Sequence, residues 1–165
     1  MADLATLRTA ELLQLHAEIA GELRGRQILR SANNPTGDYA EHLFAKAMDW
    51  ALVSNSNAAF DAIDALGQRY QIKCRRTTRT SSRSRQLGAL RRLPEKGFDY
   101  LAVLLLKENY EVERAMIMPH AVIEPITRFS PHVNGWILRL QEDHWAIDGV
   151  LDVTERLRVV AQELL

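Results

Sequence analysis

The run Leu101-Ala-Val-Leu-Leu-Leu106 restricts the fold more than any other stretch of the chain. Successive side chains of a strand point to opposite faces of a sheet, so an unbroken apolar run needs cover on both sides. Such a strand belongs at the centre of a sheet, between two layers. The run is far too short to span a bilayer. With 165 residues, the chain has room for one domain with a proper core and not for two ordinary ones. Phe98–Lys107 is therefore expected as a central strand. A turn at Glu108-Asn-Tyr110 leads to a second strand, Glu111–Met118.

The rest of the chain supplies the flanking layers. Leu12, Leu15, Ile19 and Leu23 recur at helical spacing and predict a helix over residues 8–29. A loop rich in Asn, Pro and Gly follows at residues 31–37. A second helix is expected from about Tyr39 to Val53, with Asp38 as its N-cap. Between Phe60 and Arg76 the sequence FDAIDALGQRYQIKCRR reads as a β-hairpin with Gly67 at the turn. The polar stretch Arg75–Ser84 predicts an exposed loop, leading into a short helix near Arg85–Leu93. Pro119 opens a short helix or turn through Ile126, Gly135–Leu140 reads as a further strand, and Asp152–Leu165 as a terminal helix with Thr154 near its start. This order implies a single α/β domain over residues 1–165, with helices flanking a mixed central sheet and an extra N-terminal helix within residues 1–30. No glycine-rich loop joins a strand to a helix, which argues against a doubly wound nucleotide fold.

Formal charge sums to zero but is unevenly spread. Residues 1–68 hold five basic and nine acidic side chains, residues 69–96 ten and one, and residues 97–165 six and eleven. A strongly basic centre thus follows the hairpin, and polyanions are its natural partners. Arg75, Arg76, Arg79, Arg83 and Arg85 lead this stretch, interleaved with Ser and Thr that also bond phosphate. One cysteine, Cys74, excludes an intramolecular disulfide and defines no zinc site. Without a secretory signal pattern or a membrane span, a cytoplasmic location is expected.

Chemistry concentrates in the hairpin. Side chains at i and i+2 of a strand share a face, so Gln71, Lys73 and Arg75 point one way and Tyr70, Ile72 and Cys74 the other. Asp61 and Asp64 are both candidate carboxylates on the first strand. Phosphodiester hydrolysis at neutral pH usually uses a divalent cation, and magnesium takes one or two carboxylates with other oxygen ligands. Asp61 and the amide oxygen of Gln71 supply that type of donor, and Lys73 can hold water or stabilise developing charge. Glu41 falls on the core-facing arc of the second helix with Phe44, Ala45, Met48 and Leu52, where a carboxylate needs partners. Asp38-Tyr-Ala-Glu41 also reads as a capping box.

These residues resemble the PD-(D/E)xK nuclease superfamily, the restriction endonuclease-like fold. Its core has a helix carrying a glutamate, a hairpin with an aspartate on one strand and a (D/E/Q)-x-K triplet on the next, and a further strand, helix and strand. Glu41 matches the glutamate, Asp61 the aspartate and Gln71-Ile72-Lys73 the triplet, which places a nuclease-like core at residues 38–118 and a C-terminal extension at 119–165. Glutamine in the triplet resembles the variant of Mrr-type restriction nucleases, and Phe60 stands where the family name has proline. The resemblance implies a magnesium-dependent DNA endonuclease of a restriction or repair system, with manganese as a substitute cation. It implies metal binding by Asp61, Gln71 and the carbonyl of Ile72, a catalytic Lys73, and Glu41 as support. A homodimer would present the two sites needed to cut both strands. Two other classes stand beside it: a catalytically inactive nucleic-acid-binding module or defence-system subunit of the same fold, and an interaction protein that pairs through its first helix.

Overall fold

The computed structural model describes residues 3–31, 34–54, 59–77 and 85–164. Its centre is the apolar run, which forms β4 (Tyr100–Leu106) with Leu101 to Leu106 all fully buried. On one side β4 pairs parallel with β3 (Arg69–Arg76), in register from Tyr70↔Tyr100 to Arg76↔Leu106. On the other it pairs antiparallel with β5 (Val112–Pro119). The two-residue strands β1 (Ala51–Leu52), β2 (Ala62–Ile63) and β8 (Leu151–Asp152) complete a six-stranded mixed sheet of order β1-β2-β3-β4-β5-β8. Asp99 fixes the start of the parallel pair by accepting from the Arg69 amide at 2.8 Å and from two guanidinium nitrogens of the same residue.

Two apolar layers cover the two faces, as β4 demands. Helix α2 (Pro35–Met48) and helix α4 (Thr154–Glu163) cover one face, burying Leu43, Phe44 and Leu157 against Tyr70, Ile72, Ala102, Leu104 and Ile117. Phe44, Trp50, Tyr70 and Tyr100 stack in series there, with ring centroids 3.7–5.7 Å apart. The second face, with Leu101, Val103, Leu105, Met116 and Met118, is not covered by a long helix. Instead it carries Leu87, Leu90, Leu93, Leu138 and Ile123 from the segment after Arg85, from the hairpin β6 (Thr127–Ser130)–β7 (Gly135–Leu138), and from the short helix α3 (His120–Ile123).

That cover corrects one expectation. Residues 85–92 form no helix, and Leu93 only opens a 3₁₀ turn (Leu93–Glu95): Leu90 and Trp136 exchange both backbone hydrogen bonds at 2.9 Å, and Leu87 and Arg85 pair with Leu138 and Leu140. The segment is an extended strap on β7. Gly135 permits the approach, since a Cβ there would meet Ala89 Cβ at 3.0 Å and the Leu90 carbonyl oxygen at 3.1 Å. A second correction concerns α2, which starts at Pro35 with Asn34 as its cap and stops at Asp49 in the left-handed region (φ 58°). Asp38 therefore lies inside the helix and its carboxylate turns outward to the preceding loop. The first helix, α1 (Thr9–Gly25), is present, with no buried residue. Among the described residues no helix is long and apolar enough to cross a membrane.

Because the strap buries Leu90 fully against the sheet while Leu66 is 85% exposed, the two should respond differently to truncation. Leu90→Ala should lower stability by about 2–5 kcal/mol in urea denaturation, and Leu66→Ala by less than about 0.5 kcal/mol.

Candidate active site at the open edge of strand β3

Strand β2 is short, and its shortness creates the site. Ala62↔Tyr70 is the last paired position of the β2–β3 ladder toward the C-terminal half of β3. Beyond it the edge of β3 has no backbone partner from β2. Asp61 fills the gap with its side chain: Oδ2 accepts from the Ile72 amide at 2.6 Å, while the Asp61 amide donates to the Tyr70 carbonyl at 2.8 Å. A carboxylate is thereby fixed against the middle residue of the Gln71-Ile72-Lys73 triplet.

The two faces of β3 divide as the alternation predicts. Tyr70 and Ile72 are buried under α2, with Cys74 packed beside them. Burial pushes the Cys74 thiol up to about 12, so it is an inert packing group. Gln71, Lys73 and Arg75 pair in register with Leu101, Val103 and Leu105, which belong to the second apolar layer. This face is not open solvent. Among the described residues, buried Gln71 Oε1 accepts no hydrogen bond and buried Arg75 Nε meets no acceptor. A buried carbonyl oxygen left without a donor costs about 1–3 kcal/mol, and each such orphan needs a reason.

Glu41 approaches from α2 and completes the group. Its carboxyl is pushed up to about 7, first by burial and then by the charge of Asp61, against the pull of Arg30 and Lys73. The Asp61 carboxyl is also raised, mainly by burial, with the Ile72 amide, Lys73 and Arg30 acting the other way. Glu41, Asp61 and Lys73 are therefore close enough for each charge to act on the others. Glu41 Oε2 accepts no hydrogen bond, and its nearest cation is Arg30 Nη2 at 3.6 Å. The capping-box reading of Glu41 is thereby corrected, because Asn34 and not Asp38 caps α2.

Other candidates have structural work. Asp64 accepts from the Leu66 and Gln68 amides and from the Tyr70 hydroxyl, each at 2.9 Å, so both its oxygens are committed to the turn. Asp61 is the carboxylate left for the site. Arg76 donates to the Glu108 carbonyl at 2.9 Å and lies over the Tyr110 ring. Arg85 is paired with Glu113 and Glu142, which offset its charge. Arg79 and Arg83 lie outside the described residues. His120 Nε2 meets the Leu93 carbonyl at 2.8 Å and His144 Nδ1 takes the Gln141 amide, both local contacts. His42 is half-buried, and its imidazole is pushed down by burial and by Lys46.

The group can thus offer two carboxylates, an amide oxygen and an ammonium. Among the described residues no three His, Cys, Asp or Glu side chains gather in a metal-holding arrangement. Arg30, which belongs to no motif, joins the site through Glu41 and went unread in the sequence, where an arginine ending a helical stretch carries no signal. Neither a scan against protein-family models nor a search of curated proteins finds a match to this chain.

The raised Glu41 carboxyl links stability to pH. A carboxyl bound more tightly to its proton in the folded state stabilises fully below its ordinary value of 4.5, and that stability is lost as pH rises toward about 7. The raised Asp61 carboxyl acts in the same direction. Urea denaturation between pH 4.5 and 7.5 should show a fall of about 1–3 kcal/mol from Glu41. Glu41→Gln should flatten that fall and leave the protein more stable than wild type at pH 7.5.

Proposed function

We propose that this protein is a metal-dependent endonuclease that hydrolyses phosphodiester bonds in DNA, built on a restriction endonuclease-like core and serving a restriction or repair system. The observation that carries the reading is the mutual charge influence among Glu41, Asp61 and Lys73, together with a buried, unpartnered Gln71 Oε1 on the same face of β3 as Lys73. Helix α2, the β2–β3 hairpin and the parallel strand β4 follow one another as in that core.

The residues fit a divalent cation of magnesium type. Asp61 and Gln71 Oε1, with the Ile72 carbonyl, are hard oxygen donors. Glu41 and Asp61, whose carboxyls burial raises above their ordinary values, are the groups a dication would relieve. When bound, the cation lowers the pKa of a coordinated water and offsets charge on the phosphoryl oxygens. The protein's own part is positional. Lys73 holds the attacking water or the developing negative charge, and Glu41 receives the proton that water loses. As water oxygen bonds to phosphorus, the bond to the leaving oxygen breaks, and that oxygen takes a proton from solvent water. Arg75, with its buried and unpaired Nε, stands on the same face as Lys73 and would meet the DNA backbone.

A second reading, an inactive DNA-binding module of the same fold, is favoured by one observation: the triplet carries neutral Gln71 in place of a carboxylate.

Plasmid cleavage with magnesium or manganese separates the two. Wild type should nick or linearise DNA, and Lys73→Ala and Asp61→Ala should each lower the rate by about 100-fold or more. Salt-sensitive binding without cleavage would select the binding module. Magnesium at about 100 times its dissociation constant should stabilise wild type by about 2.7 kcal/mol, seen as a higher melting temperature. Asp61→Asn should lose most of that gain.

A further inference from the structure

Arg30 is built into the site from its backbone outward. Its amide and that of Ser31 donate to Asp38 Oδ2 at 2.8 and 2.7 Å, and the Ser31 hydroxyl donates to the same oxygen at 2.9 Å. Asp38 is itself buried within α2, so three hydrogen bonds on one carboxylate oxygen hold the Arg30–Ser31 backbone against the helix. At the other end of the side chain, Nη2 donates to the Val53 carbonyl at 2.9 Å. Val53 is in turn hydrogen-bonded through its amide to the Asp61 carbonyl at 3.0 Å. Both ends of Arg30 are therefore tied to elements that carry the site.

The guanidinium is nonetheless little used. It has five N–H donors, and among the described residues only Nη2 meets an acceptor. Its approach to Glu41 stops at 3.6 Å, and Glu41 Oε2 takes no hydrogen bond from it. An arginine serving only as an ion-pair partner would form the forked, bidentate contact that carboxylates favour. Here the fork is held beside the carboxylate without engaging it, and the side chain remains about a quarter (26%) exposed.

We propose that Arg30 is a phosphate-binding residue of this site, its unused guanidinium edge taking the non-bridging oxygens of the phosphodiester presented to Lys73 and Asp61. The assignment rests on the nuclease reading above and adds to it a contact that no motif contains. Arg30 then acts on substrate directly, and Asp38 and Ser31 are the residues that position it.

Two readouts test this, one without catalysis. On the Lys73→Ala background, with magnesium present, duplex DNA binding is followed by fluorescence anisotropy from low to moderate salt. Adding Arg30→Ala should reduce the slope of log K against log salt by about one, the signature of one lost phosphate contact. In cleavage assays Arg30→Ala alone should lower kcat by about 100–1,000-fold, Arg30→Lys should retain an intermediate rate, and free guanidinium should restore part of the Arg30→Ala activity. Melting curves accompany both variants. If Arg30→Ala does not fold, Arg30→Lys carries the test: at an unchanged melting temperature its kcat should still fall by at least about tenfold, since an ammonium cannot make the forked contact. Wild-type rates and an unchanged salt slope in the folded variant would overturn the assignment while leaving the nuclease reading intact. A wild type inactive with both magnesium and manganese would overturn both.

Discussion

The parallel pairing of β3 with β4 governs the rest of the molecule. It runs without interruption from Tyr70↔Tyr100 to Arg76↔Leu106, and the Arg69–Asp99 contacts close its start. Because β4 is buried on both faces, β3 must present one set of alternate side chains to each layer. Tyr70, Ile72 and Cys74 join the aromatic stack and α2, while Gln71, Lys73 and Arg75 are carried to the other face. A slip of one residue would exchange these sets and bury two cations beneath α2, so register and site are one constraint.

Around that strand the site is made from incomplete structure. The short β2 leaves the edge of β3 open, and the Asp61 carboxylate replaces the missing backbone acceptor at Ile72. Helix α2 then brings Glu41 toward the same opening, and the loop before it brings Arg30. The arrangement costs stability by ordinary folding criteria through the raised carboxyls of Glu41 and Asp61 and the orphaned oxygen of Gln71. Several such departures among neighbouring residues mark a candidate site for charged ligands, because groups satisfied within the protein have nothing left to offer.

How far the sequence could be read follows from the range of each interaction. The central strands β4 and β5 and the two-sided character of β3 were legible because they depend on local alternation and continuous apolarity. Spacing favours Asp61 over Asp64 as the candidate carboxylate, and in the structure Asp64 gives both oxygens to the turn. The strap at residues 85–92 was not legible. Leu87, Leu90 and Leu93 recur every three residues and mimic a helix, yet their backbone partners are in β7, far along the chain. Strands of two to four residues, such as β1, β6 and β8, are too short to leave a periodic signal. Arg85 counted as part of a basic stretch until the fold placed Glu113 and Glu142 beside it, 28 and 57 residues away.

The sequence by itself determined that a doubly buried strand lies at the centre, that layers cover it on both sides, and that Gln71 and Lys73 share one face of the strand. These properties follow from the order of apolar and polar residues and from a two-residue repeat, and they need no knowledge of distant contacts. Only the tertiary structure decided which charges meet. Burial and Coulomb interaction depend on distance through space and on exclusion of water. The raised carboxyls of Glu41 and Asp61, the neutralised Arg85 and the underused Arg30 came into being when the layers closed over the sheet.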